Sequence, residues 1–204
     1  MVIVAQKNDI FSGDAALRYD SWYERPKGRR MAALEKQALM EMIEPVDEAS
    51  LLDVGCGTGY FGLFFSRMGL RVTGVDISQS MLAVARKKGG GIQLVRGDAH
   101  RLPFAASTFD VVTIITTLEF VQDPGAVLRE CHRVARRAIV LGVLNRLSWL
   151  SFRRKLRGGG LFSRAKFYSV RQLKELIRRS LGDVNVVLRS PFRAFVAVLI
   201  TSGR

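Results

Sequence analysis

The sequence predicts an α/β fold, a doubly wound and mostly parallel sheet with helices on both faces. Two observations carry this expectation. From residue 50 onward, apolar runs of strand length alternate with segments of helical period. Near the end, two strand-like runs lie too close together for a crossover, so they must pair antiparallel. The chain has 204 residues, 48% of them apolar, and reads as a single domain over 1–204.

In chain order, SGDAALRYDSWYERPKGRR is irregular with a helical opening, and RMAALEKQALMEMIEP has helical spacing ending at Pro45. SLLDVG reads as a buried strand, TGYFGLFFSRMG as a helix closed by Gly69, and LRVTGVD as the second strand. SQSMLAVARKKG is a helix with Ser78 as N-cap, and IQLVRGD the third strand. FDVVTIITT is the fourth, DPGAVLRECHRVA a helix with Pro124 in its first turn, and RAIVLGVL the fifth. SVRQLKELIRRSLG is a helix capped by Ser169, followed by DVNVVLRS and RAFVAVLITS across a short link containing Pro191.

Composition excludes several classes. Cys56 and Cys131 cannot build a disulfide framework, and His100 and His132 have no metal-ligand spacing, so no metal is expected. The start MVIVAQKNDIF lacks a secretion leader, and VVTIITTL is far shorter than the roughly 20 residues of a spanning helix, so a cytoplasmic protein is expected. Charge is lopsided: residues 1–128 hold 14 Lys and Arg against 15 Asp and Glu, whereas 129–204 hold 18 against 3.

The stretch LLDVGCGTGYF, residues 51–61, lacks side chains where a strand turns into a helix. In open α/β sheets ligands bind beyond the carboxyl ends of strands, and such a turn lets backbone N–H groups approach them closely. The spacing of Gly55, Gly57 and Gly59 misses the dinucleotide pattern, because Tyr60 stands where its third glycine belongs; no lysine follows to make a phosphate loop.

The acid followed by G-x-G-x-G, Asp53 through Gly59, resembles the first motif of class I S-adenosylmethionine-dependent methyltransferases. The resemblance runs from about Tyr19 to the C-terminus. It implies a Rossmann-like seven-stranded sheet with an antiparallel last strand, and S-adenosylmethionine as cofactor. On it, Asp76 in VTGVDIS takes the ribose hydroxyls, Asp98 in VRGDAH reads the adenine amino group with Ala99 beside it, and Ile77 and Met81 pack on the adenine. Cys56, Thr116 and Thr117 complete the expected cofactor contacts. YDSWYERPKGRR, LPF, FDVVTIITTLEFV and DPGAVLRECHRV resemble the type 11 branch, which contains the ubiquinone and menaquinone biosynthesis methyltransferases. Tyr19 and Trp22 match aromatics of that branch's N-terminal lid, which implies contact with sulfonium ligand and substrate, the other reading being buried aromatic anchors for the first helix; Tyr19 is also a candidate catalytic residue.

Two departures matter. After the fourth strand many relatives carry histidine, but this chain reads Thr116, Thr117, Leu118, Glu119, Phe120. Glu119 is therefore the candidate to deprotonate or orient a substrate, or else a cap for the helix near Asp123. RRAIVLGVLN also lacks the Pro-Gly-Gly turn common in relatives. The D/N-P-P-Y/F tetrapeptide of adenine-N6 and glutamine enzymes is absent, as is the Pro-Cys of cytosine-C5 enzymes.

The expected division is an N-terminal helical lid (1–45), a cofactor-binding core (46–145), a basic lid segment (146–170), and a last helix with an antiparallel strand pair (171–204). The basic segment interleaves Arg and Lys with Trp149, Phe152 and Phe162, a pattern suited to a substrate lid, an anionic membrane or a nucleic-acid backbone. The expected function is in-line methyl transfer to a small molecule, with lipophilic acceptors included. The alternatives are methylation of RNA or anionic lipid, a non-catalytic scaffold binding S-adenosylmethionine or S-adenosylhomocysteine, and, more distantly, a nicotinamide oxidoreductase.

Overall fold

The computed structural model describes residue 11 and residues 13–43, 48–145, 165–192 and 194–202. Two short helices, α1 (Asp14–Arg18) and α2 (Ser21–Glu24), lead into α3 (Pro26–Met40). The last begins earlier than its apolar period indicates. Pro26 occupies the first turn, where a missing N–H costs no hydrogen bond, so four further residues join the helix.

Seven strands then form one sheet: β1 (Ser50–Val54), β2 (Arg71–Asp76), β3 (Gln93–Arg96), β4 (Phe109–Ile115), β5 (Ala135–Leu144), β6 (Val184–Phe192) and β7 (Phe195–Ser202). Helices α4 (Tyr60–Arg67), α5 (Gln79–Lys88) and α6 (Pro124–Val134) follow β1, β2 and β4, a loop joins β3 to β4, and α7 (Val170–Leu181) precedes the last pair. The sheet order is β3-β2-β1-β4-β5-β7-β6. β1 through β5 pair parallel, whereas β7 is antiparallel to both β5 and β6. This is the doubly wound mixed sheet expected, and its order reverses between β1 and β4, where a crevice opens above the strand ends.

Local chemistry sets the boundaries. Ser78 caps α5 by accepting from Met81 N–H, and Ser169 forms a capping box with Gln172 at α7. β4 stops at Ile115, two residues short of its apolar run, because Thr116 turns to a φ of 51°. Pro191 lies within β6 and not in the link, since β6 is an edge strand with a register shift between Arg189 and Phe192 that tolerates a missing donor.

Burial explains the patterns. Leu51, Leu52 and Val54 of β1 are fully buried, as a central parallel strand covered on both faces requires. One core cluster packs Leu128, Val134, Leu173 and Ile177 of α6 and α7 against the sheet, and the other packs Leu39, Phe61 and Phe65 of α3 and α4 against the opposite face. Cys131, at 0% exposure, is a packing residue of the first cluster. Among the described residues, no helix is long and apolar enough to cross a membrane.

Candidate active site

A cavity of about 620 Å³ lies beyond the carboxyl ends of β1 to β4. The end of β1 contributes Asp53 to its lining, and the turn after it Gly55, Cys56, Gly57 and Thr58. The two glycines there serve different ends. A Cβ on Gly55 would stand 2.4 Å from Thr117 Oγ1, so that glycine makes room for the β4 exit, which Thr117 ties down by donating to the Gly55 carbonyl. A Cβ on Gly57 would meet nothing within 4 Å, so its bareness faces open space. Gly59 does not line the cavity; it sits at the N-terminus of α4 and packs against Ala85 and Ile92.

Three carboxylates stand on successive strand ends. Asp53 is almost fully buried and accepts from Thr113 Oγ1 at 3.0 Å. Burial pushes its carboxyl up to about 7; the Thr113 bond opposes this and the nearby Asp76 charge adds to it. Asp76 ends β2, with Oδ2 accepting from Gly57 N–H and Oδ1 from Ser78 N–H, both at 2.8 Å. Burial raises this carboxyl too, against the backbone bonds that favour its charged form. Backbone N–H groups of Gly57, Ser78 and Ile77 thus favour the charged carboxylate, which keeps acceptor capacity for a ligand beyond them. Asp98 follows β3 and lines the same wall with Ala99 and His100. Ile77 and Met81 flank Asp76, and Thr116 and Thr117 close the β4 side. The left-handed Thr116 is held by its N–H bond to the Gly142 carbonyl at 2.7 Å.

Much of the remaining lining is aromatic. Tyr19 and Tyr23 come from the N-terminal segment, Tyr60 and Phe61 from α4, and Phe11 and Phe120 complete it. Tyr23 stacks on Tyr60 with centroids 3.8 Å apart, and Phe11 meets Phe120 edge-on at 5.0 Å. Burial keeps the Tyr19 and Tyr23 phenols well above their ordinary range, so both stay protonated. A polar strap fastens this segment to the core: Thr58 Oγ1 donates to Asp20 at 2.7 Å, and Lys88 Nζ pairs with Asp20 while donating to the Thr58 carbonyl at 2.8 Å. Trp22 is not among the lining residues.

Glu119 departs from its expected role. It does not line the cavity and it does not cap α6, whose N-cap is Asp123 accepting from Ala126 N–H. Its buried carboxylate instead accepts from Leu144 N–H at 2.6 Å, and its backbone carbonyl accepts from Lys166 N–H at 2.7 Å. Glu119 therefore ties together the two ends of the segment between β5 and α7. The second oxygen, Oε2, is buried with no partner among the described residues, and burial raises the group to about 7. Residues 146–164 of the basic segment lie outside the described residues, and the lid, membrane and nucleic-acid expectations placed there lie outside them too. Among the described residues, no group of three or more His, Cys, Asp or Glu side chains could hold a metal ion.

Sequence pattern does not single out the aromatic wall and His100 as a set. Tyr23, Tyr60, Phe61 and Phe120 read as ordinary helix and loop aromatics, and only the N-terminal match of Tyr19 points to that wall.

Comparison with known proteins places this geometry. A family profile described as a methyltransferase domain, of type 11, matches residues 52–140. An uncharacterized protein of Mycobacterium tuberculosis is 36% identical over 174 residues, covering 83% of this chain. The chain spans only 59% of that relative's length. A demethylmenaquinone methyltransferase of Thermotoga maritima is 30% identical over 171 residues, covering 74% of this chain and 72% of the relative. In fold, the crystal structure of the magnesium protoporphyrin IX methyltransferase of Synechocystis PCC 6803 with bound S-adenosylhomocysteine superposes with a TM-score of 0.72 at 17% identity, covering 96% of this chain and 97% of that one. The strand-end carboxylates, the glycine turn and these matches agree: the chain belongs to the type 11 branch of the class I S-adenosylmethionine-dependent methyltransferases.

Proposed function

We propose that the protein transfers a methyl group from S-adenosylmethionine to a small, lipophilic acceptor. One observation carries the reading: a single cavity is lined by three carboxylates at or just past strand ends together with six aromatic rings. The residues fit the cofactor, because Gly57 leaves open space where a side chain would stand and the Asp76 carboxylate keeps acceptor capacity beyond its backbone bonds. Asp76 would hold the ribose hydroxyls, Asp98 the adenine amino group, and Ile77 and Met81 the purine faces. Asp53, Thr116 and Thr117 would face the sulfonium and amino-acid end.

The methyl group of a sulfonium is already activated for displacement, so the protein's task is alignment and exclusion of water. Tyr19, Phe11 and Phe120 would press an apolar acceptor toward the carboxylate wall. Tyr19, kept protonated by burial, would donate a hydrogen bond to the acceptor and not withdraw its proton. The name of the Thermotoga relative, demethylmenaquinone methyltransferase, supports a lipophilic acceptor.

The test is methyl-labelled S-adenosylmethionine incubated with the protein and fractionated cell extract. Label in the lipid or small-molecule fraction is expected; label in protein or nucleic acid alone would reject the acceptor class. In parallel, Asp76→Ala should bind S-adenosylhomocysteine at least about tenfold more weakly, as loss of a charge-assisted bond implies. Equal binding would reject the site.

A further inference from the structure

We propose that His100 is a positioning residue that holds Asp98 in the orientation that reads the adenine amino group. The inference rests on the cofactor reading of the cavity. Asp98 Oδ1 accepts from the backbone N–H of His100 at 2.9 Å and lies 2.7 Å from His100 Nδ1. On the far side of the ring, Nε2 accepts the backbone N–H of Asp123 at 3.3 Å. An N–H facing Nε2 requires that nitrogen to be unprotonated, so the neutral ring carries its proton on Nδ1 and donates it to Asp98.

The anchor is rigid. Asp123 is the N-cap of α6, and Val127, Leu128, Cys131 and Val134 of that helix are fully buried. His100 thus couples the loop after β3 to a fixed point 23 residues away. Both of its contacts to Asp98 fall on Oδ1, which leaves Oδ2 with no hydrogen-bond partner among the described residues and free to accept from the ligand. With both ring nitrogens engaged, His100 is not poised as a general base, although it lines the cavity. It acts on the ligand as an outer ligand-orienting histidine does at a metal, by fixing the group that makes the contact.

The test compares S-adenosylhomocysteine with its analogue carrying hydrogen in place of the 6-amino group, each titrated calorimetrically into the parent protein, His100→Ala and Asp98→Ala. The parent should prefer the amino compound about tenfold. His100→Ala should lose about fivefold on the amino compound and less than about twofold on the analogue, with an unchanged melting temperature, because the backbone bond to Oδ1 survives. Asp98→Ala should bind the two alike. Equal weakening of both compounds by His100→Ala would make the ring a mere prop for the loop and overturn the proposal. Retention of the parent's preference by His100→Ala, while Asp98→Ala loses it, would overturn the role of His100 and leave that of Asp98 standing. Retention by Asp98→Ala would overturn the assignment of the adenine site itself, and the role of His100 with it.

Discussion

Replacing Glu119 with glutamine should make the protein more stable above neutral pH and leave it nearly unchanged in acid. The carboxyl is buried, with one oxygen bonded to Leu144 N–H and the other bonded to nothing among the described residues. Burial raises it from 4.5 to about 7, partly offset by the backbone bonds. A carboxyl raised in the folded state binds more protons there than in the unfolded chain. Its contribution is therefore complete below about pH 4.5 and is lost as pH rises through about 7. At 1.36 kcal/mol per pH unit of separation the whole loss is about 3 kcal/mol, an upper figure because a charged group draws in water and relaxes its surroundings. The amide of Glu119→Gln would keep an acceptor for Leu144 N–H and never ionise. For a chain of this length, about 3 kcal/mol corresponds to about 6–12 °C in melting temperature. Melting both proteins from pH 5 to pH 9 checks this, and titration of Asp53 and Glu35, common to the two proteins, cancels in the difference. A melting difference that stays constant across the range would refute the reasoning, since a lost contact has no pH dependence and a buried charge does.

Three further outcomes are expected. Lys88→Met removes the cation bridging Asp20 and the Thr58 carbonyl, so S-adenosylhomocysteine should dissociate about threefold faster in stopped flow at low salt, with the difference shrinking at about 1 M salt where charges are screened within about 3 Å. Asp53, raised to about 7, ionises as pH increases, and the sulfonium cofactor carries one more positive charge than its product; affinity for the cofactor relative to the product should rise between about pH 6 and 8, and Asp53→Asn should flatten that rise in competition titrations. Gly55→Ala meets Thr117 at 2.4 Å in a left-handed backbone and should cost about 2–3 kcal/mol in urea melts. Adding Thr117→Ala should relieve the clash but not the backbone strain, so that only part of the loss returns.

The alternation that predicts the sheet is legible because each strand meets a local requirement. Leu51, Leu52 and Val54 are apolar on both faces, Ser78 and Ser169 sit where helices need acceptors, and β6 and β7 are too close for a crossover. Boundaries are less legible where a backbone choice overrides side-chain pattern. Thr116 continues the apolar-polar run of β4 but adopts positive φ, and Pro191 looks like a turn residue while occupying a tolerant edge strand.

For the site, Asp53, Asp76 and Asp98 can be found because neighbouring parallel strands point their carboxyl ends to one edge of the sheet, so that an acid at or just past each strand end is a spatial cluster written as a linear rhythm. Residues whose role depends on a tertiary partner leave no such rhythm. Glu119 stands where a catalytic group would in sequence, yet the β5 end that faces it, 25 residues onward, captures its carboxylate. His100 looks idle in sequence for lack of a metal-binding neighbour, yet folding sets its two nitrogens between an acid two residues back and an N–H 23 residues ahead. Both follow from one physical condition. A buried polar side chain must find partners, and which backbone groups the fold leaves near it decides whether it can serve the ligand or is held by the scaffold.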